Sequence, residues 1–271
     1  MSDGLLTLGK LVLAFVVAVP LAVYFLQERL IFFPQPLSDA QRTQIEQHFP
    51  GVKQVFIRSP DGKKLQGWYI SGAAGAPLVL YFGGNAEDVA WMIPQVAENV
   101  PGTAWLLVSY RGYGGSEGSP SEVSIAADAL QWYDYAVSEL KAARVSVFGR
   151  SLGSGAAVFL AAQRNISQVI LVTPFDSLVE VARRHYPYLP VSLMLKHRFD
   201  SIGRAPKISA PLLCLAAQRD EIIPPSHARK LYDAWAGPKR WVELEEAGHN
   251  TTDSHPLFWQ NVASFLGKPA P

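Results

Sequence analysis

Cysteine is nearly absent from this chain of 271 residues: Cys214 is the only one. A single thiol excludes an intrachain disulfide and a metal centre built on several cysteines, and it leaves the redox compartment open. Charge is scarce too. Lys, Arg, Asp and Glu make up 17% of the sequence against 49% hydrophobic residues, with a formal net charge of +1. So even a balance excludes nucleic acid or another polyanion as the main partner. There is no internal repeat and no low-complexity tract, and neither a metal nor a cofactor is expected. At this length one α/β domain of ordinary size can bury an ample core.

The apolar excess sits at the front. Leu11 to Leu26 contains no charged residue, and Leu5 extends the run to 22 positions interrupted only by Lys10. At 1.5 Å per residue a helix of that length approaches the ~30 Å hydrocarbon thickness of a bilayer. Pro20 within it is tolerable in lipid and costly in water. A cleaved signal peptide is the rival reading, but its apolar core is usually shorter, and Tyr24-Phe25-Leu26-Gln27 makes a poor cleavage site. An uncleaved transmembrane anchor over 5–27 is therefore expected, followed by a connector over 28–51 and the folded domain over 52–268. Lys10 and Arg29 flank the run on opposite sides and leave its orientation open. Every candidate catalytic residue lies beyond Pro77, so none is expected to need the anchor for its geometry.

Beyond the connector, Val52–Ile57 and Leu65–Ile70 read as two strands joined by the turn Pro60-Asp61-Gly62. Pro77–Phe82 is a continuous apolar strand of the buried, parallel kind. A helix at Ala86–Val100, a strand at Trp105–Ser109, a helix at Ser121–Leu140 and a strand at Val145–Phe148 follow. Further strands are expected at 169–172, 212–215 and 241–244, with helices near 226–235 and 256–266. A hairpin followed by βα repeats means an α/β fold, a mostly parallel eight-stranded sheet with helices on both faces. Its ligand crevice lies at the carboxyl ends of the strands.

At one such end stands Gly149-Arg150-Ser151-Leu152-Gly153, followed by the helical run Gly155–Ala162. Strand, sharp turn and helix around G-x-S-x-G is the setting of a nucleophile elbow. The serine must adopt a strained backbone to lift its Oγ clear of the sheet, and the flanking glycines avoid Cβ collisions. Serine is a weak nucleophile without a base within reach and an acid behind it. His249, in the loop after the last strand, is the expected base; His48, His185, His197, His227 and His255 are expected on the surface or capping helices. Asp220, after the strand Leu212–Ala217, is favoured as the acid, with Asp176 at the end of the preceding strand as its competitor. The backbone N–H groups of Leu152 and of Asn85, in Gly83-Gly84-Asn85-Ala86, are the expected oxyanion donors.

Together Tyr81–Ala86, Ser109–Ser116, Gly149–Gly153, Arg219–Pro224 and Gly248-His249 resemble the α/β-hydrolase superfamily. The resemblance runs over about residues 5 to 268 and is nearest to its membrane-anchored serine hydrolases, which include lysophospholipid lipases and protein depalmitoylases. One departure stands out. The family usually has His-Gly where this chain has Gly83-Gly84, which puts the geometry of the oxyanion turn in question. The segment 178–200 reads as a short cap whose apolar and aromatic residues line an acyl pocket or simply pack on the domain. The resemblance implies a serine hydrolase of carboxylic esters or thioesters, with a small or lipid-like acyl substrate and a membrane as its partners. A serine peptidase of the same fold and a non-catalytic membrane scaffold are the alternatives.

Overall fold

The computed structural model describes residues 2–267, with the side chains of residues 2, 3, 5, 6 and 8–17 outside the described set. The anchor expected over 5–27 falls largely on those residues, and the domain's expected last position, 268, also lies outside. The backbone there belongs to helix α1, Ser2–Ile31. Among the described residues no helix is long and apolar enough to cross a membrane.

Eight strands form one sheet: β1 (Val52–Arg58), β2 (Lys64–Ile70), β3 (Leu78–Phe82), β4 (Ala104–Val108), β5 (Val145–Arg150), β6 (Val169–Val172), β7 (Leu212–Ala217) and β8 (Lys239–Leu244). Their spatial order is β1-β2-β4-β3-β5-β6-β7-β8. Strand β2 is antiparallel to both neighbours, and every other pairing is parallel. From β3 the chain steps outward to β4, then crosses back over β3 to β5. That reversal opens a crevice at the carboxyl ends of β3 and β5.

Alternation along the buried strands feeds two cores. Leu78, Leu80 and Phe82 of β3 point to a cluster that includes Ile125, Ala129 and Trp132 of α4 (Glu122–Ser138), Ala157 and Leu160 of α5 (Leu152–Gln163), and Leu231 of α8 (Pro225–Ala234). Val79 and Tyr81 point the other way, to Ile93 and Val96 of α3 (Met92–Asn99) and to Phe258 and Val262 of α9 (Pro256–Leu266). Apolar side chains on both faces are what a sheet covered on both faces requires.

Two expectations shift. The helix read at Ala86–Val100 begins as a turn, with Ala86 at φ 56, then a 3-10 turn at Val89–Trp91, and becomes α-helical only at Met92. The Asp88 carboxylate caps this 3-10 turn by accepting from Ala90 N–H at 3.0 Å. Within the connector, α2 (Asp39–His48) is helical because Ser38 and Gln41 form a reciprocal capping box. The cap segment resolves into two short helices, α6 (Leu178–His185) and α7 (Val191–Met194).

Arg111, in the loop after β4, joins three parts of the fold. Its guanidinium donates to both carboxylate oxygens of Asp128 on α4 at 2.8 Å and to both of Asp61 in the β1–β2 turn at 2.7 and 2.9 Å. The Arg111 hydrogen bonds hold the Asp61 carboxyl at about 2. Asp128 is buried and Asp61 is not. Asp128→Ala should therefore cost about 3 kcal/mol, because it strands a buried guanidinium, whereas Asp61→Ala should lower the melting temperature far less. Thermal unfolding of the two variants checks the order.

Candidate active site

Ser151 caps the N-terminus of α5 with φ 50 and ψ −116, a conformation that only strong surrounding constraint sustains. Its N–H donates to Val172 O of β6 at 2.9 Å, and its carbonyl accepts from Ser154 Oγ at 2.6 Å. The flanking glycines have no room for a side chain. A Cβ on Gly153 would lie 2.1 Å from Phe82 O, and one on Gly149 would lie 2.5 Å from Gly153 O. Strand β5 thus passes into α5 directly against the end of β3.

The loop after β8 brings His249 over this turn. His249 Nε2 lies 2.9 Å from Ser151 Oγ, and His249 Nδ1 lies 2.7 Å from Asp220 Oδ2. The other Asp220 oxygen accepts from the N–H groups of Ile222 and Ile223 at 3.0 and 2.7 Å. These bonds fix the carboxylate's orientation. All three side chains are buried in the fold. A carboxylate facing Nδ1 favours the tautomer with its proton there, leaving the Nε2 lone pair toward the hydroxyl.

Asp176 is engaged elsewhere. It lies 2.7 Å from Nδ1 of His227 on α8, with Lys230 Nζ at 3.6 Å. His227 is therefore not at the surface, as expected from sequence, but buried in a second histidine–aspartate pair. Burial pushes the Asp176 carboxyl up. The hydrogen bonds from His227 and from Ser177 N–H, with the His227 and Lys230 charges, outweigh it, and the carboxyl ends below its ordinary 3.8. His197 is also buried, and its Nδ1 caps α4 by accepting from Glu122 N–H at 3.2 Å; His255 Nδ1 caps α9 through Leu257 N–H at 3.2 Å. His48 and His185 are exposed, as expected.

The turn after β3 is braced without the usual histidine. Glu87 accepts from Gly84 N–H at 2.6 Å and from Tyr81 Oη–H at 2.5 Å, and Tyr110 Oη–H donates to Gly83 O at 2.8 Å. A Cβ on Gly83 would meet Glu87 Oε1 at 2.8 Å and Val89 at 2.9 Å, so the carboxylate occupies the space a histidine would need. Burial holds the Tyr81 and Tyr110 phenols well above their ordinary value, so both stay protonated donors. No sequence signal assigned a role to Glu87; Tyr81 and Tyr110 each lie within a family motif, without an assigned role.

Asn85 ties this turn to the end of α1. Its Nδ2 donates to Ile31 O at 2.5 Å, while its Oδ1 accepts from Phe33 N–H at 3.0 Å and from Tyr113 Oη–H at 2.7 Å. This turn is therefore tied to Ile31 and Phe33, which lie just beyond the expected anchor over 5–27. Helix α1 is also bound to the cap. The buried Gln27 donates to Met194 O at 3.2 Å and accepts from Lys196 N–H at 2.7 Å.

Two cavities meet at Ser151. One, of about 480 Å³, is apolar and runs between α1 and the cap, with Val23, Leu30, Val181, Leu189 and Leu195 among its walls. The other, of about 670 Å³, is the more polar of the two and includes Glu87, Asp88, Trp91, Arg150, His249 and Asp253. Among the described residues no cluster of three or more His, Cys, Asp or Glu could hold a metal ion.

A family model described as serine hydrolase matches residues 123–268, more than half of the chain. The chain belongs to the serine hydrolases of the α/β-hydrolase superfamily. It is 40% identical over 233 residues to an uncharacterized protein of Mycobacterium tuberculosis, covering 83% of this chain and 80% of that one. An uncharacterized membrane protein of Saccharomyces cerevisiae is 31% identical, with 96% and 95% covered. The lysophosphatidylserine lipase ABHD12 of Danio rerio is 32% identical, with 64% of this chain and 51% of that protein covered. Among solved structures, the esterase Pf2001 of Pyrococcus furiosus shares the fold, with a TM-score of 0.68 at 19% identity, over 88% of this chain and 97% of its own. The protein is a serine hydrolase.

Gly153→Ala should yield little folded protein or lose more than about 3 kcal/mol, since the added methyl overlaps a backbone carbonyl that cannot move aside. Gly248→Ala, whose nearest neighbour would be Arg219 O at 3.8 Å, should stay near wild type. Melting temperatures decide between them. Asp176→Asn should also lower stability. Because the folded-state pKa is depressed, that contribution is present above the ordinary 3.8 and is lost as the pH falls through the lowered value. The gap in melting temperature between wild type and variant should therefore narrow in acid.

Proposed function

We propose that Ser151, His249 and Asp220 form the catalytic triad of a membrane-associated hydrolase that cleaves esters or thioesters of lipid-like acyl chains. The observation that carries this reading is the continuous chain of hydrogen bonds from Ser151 through His249 to Asp220, at the point where an apolar and a polar cavity meet. Ser151 Oγ attacks the carbonyl carbon and its proton passes to His249 Nε2. Asp220 holds the imidazole in position and stabilises the cation that forms. The N–H groups of Leu152 and Asn85 receive the oxyanion. Leu152 N–H is free for this as one of the first four donors of α5, and Gly84 N–H, already bonded to Glu87, leaves Asn85 as the donor of its turn. Collapse of the tetrahedral intermediate expels the alcohol or thiol, which takes the proton from His249. Water activated by the same histidine then releases the acid from the acyl-enzyme.

The acyl half of the substrate fits the apolar cavity, whose walls come from the cap and from the last turns of α1. An N-terminal anchor over 5–27 would hold that cavity at the bilayer and raise the effective concentration of lipid substrates. The similarity to a yeast membrane protein and to a lysophospholipid lipase supports this placement.

Ser151→Ala should abolish labelling by a fluorophosphonate while the protein still melts cooperatively, and residual labelling would put the nucleophile elsewhere. Asp220→Asn should lower kcat by about 10⁴, whereas Asp176→Asn should retain most activity. The reverse order would make Asp176 the acid. Full-length protein should pellet with membranes and resist alkaline washing, and release by salt alone would rule out a spanning anchor.

A further inference from the structure

The polar cavity beside Ser151 contains an arginine that has no hydrogen-bond partner among the described residues. Arg150, the last residue of β5, has a side chain only 11% exposed. Its guanidinium stacks over the Trp91 ring at 5.2 Å and faces Asp253 Oδ1 at 3.7 Å, beyond hydrogen-bond distance. Among the described residues it donates no hydrogen bond. Arg111, equally buried, donates four, all to carboxylate oxygens. A guanidinium carries five N–H donors. Those of Arg150 are spent on no protein acceptor and are not sealed in the core, so they open onto the cavity, where a ligand can reach them.

We propose that Arg150 binds an anionic oxygen group, a phosphate or carboxylate, on the alcohol half of the ester substrate; this rests on Ser151 being the nucleophile. The side chain is held before any ligand arrives, by the indole on one face and by Asp253 at its edge. The planar fork matches two oxygens of one anion. Position assigns the half of the substrate. The acyl chain fits the apolar cavity on one side of Ser151, so a group at Arg150 on the other side leaves with the alcohol.

The carboxylates that share the cavity do not contradict this. Glu87 is occupied by Gly84 N–H and the Tyr81 phenol. Asp88 is engaged in capping Ala90 N–H, and burial raises its pKa above the ordinary 3.8. Asp253 is the carboxylate that faces the guanidinium, standing in for the anion that a substrate would bring. It therefore competes with that anion, and its removal should have the opposite effect to removal of Arg150.

The test compares kcat/KM of the full-length protein on two esters of the same acyl chain, 1-acylglycerol and 1-acylglycerol 3-phosphate, in the same neutral detergent micelles. Wild type should prefer the phosphate ester. Arg150→Gln should lower that preference at least tenfold, chiefly through KM, and Asp253→Asn should raise it severalfold. Both esters are read on the same preparation, so a loss of folded protein cancels in the ratio. A ratio unmoved in both variants overturns the inference. If Arg150→Gln is inactive on both esters, Asp253→Asn decides alone: a rise supports the inference and no change overturns it. Failure of the wild type to cleave either ester would overturn the acyl-ester reading and this inference with it, while cleavage by Ser151→Ala would sink the nucleophile assignment.

Discussion

The approach of Gly153 to the carbonyl of Phe82 sets the geometry of the whole crevice. The start of α5 rests against the end of β3 so closely that not even a methyl group fits between them. This contact forces the reversal of direction between β5 and α5, and Ser151 takes up the reversal in a left-handed backbone conformation held by its bond to β6. The turn that follows Phe82 is thereby set beside the serine. The strain at one residue is therefore supported by three parallel strands and both cores.

Around that contact the fold substitutes one brace for another. Where relatives of this superfamily place a histidine, this chain has a glycine, and the vacated space holds the Glu87 carboxylate. Two buried phenols, Tyr81 and Tyr110, complete the support. The turn after β3 is then clamped from outside by Asn85, whose amide spans the carbonyl of Ile31 and the N–H of Phe33. A displacement of the N-terminal helix is thus transmitted through two residues to the donor proposed for the oxyanion.

Much of this was legible in the chain because the buried strands are continuous apolar runs and the candidate residues fall at their ends. Ser151, Asp220 and His249 could be picked out by position, and they do come together in space. The start of the helix before Met92 was misread because Asp88 caps a 3-10 turn rather than an α-helix. Helix α2 was missed although Ser38 and Gln41 carried its signal. The pairing of Asp176 with His227 was not legible at all, since it depends on how α8 meets the loop that follows β6. The same holds for Arg150, whose neighbours Trp91 and Asp253 come from distant parts of the chain, whereas Glu87 bonds within its own turn. Local pattern identifies elements, whereas partners across the sheet are decided by packing.

Cys214 offers a last consequence. It lies in β7, hydrogen-bonded between β6 and β8, and is 1% exposed, with burial raising its thiol pKa far above the ordinary value. A reagent that needs a thiolate cannot reach or ionise it while the sheet is intact. The chain thus carries one internal reporter that turns reactive only when the strands separate. The rate of alkylation at this sulfur reads the opening free energy of the sheet beside its β8 edge directly, without any introduced label.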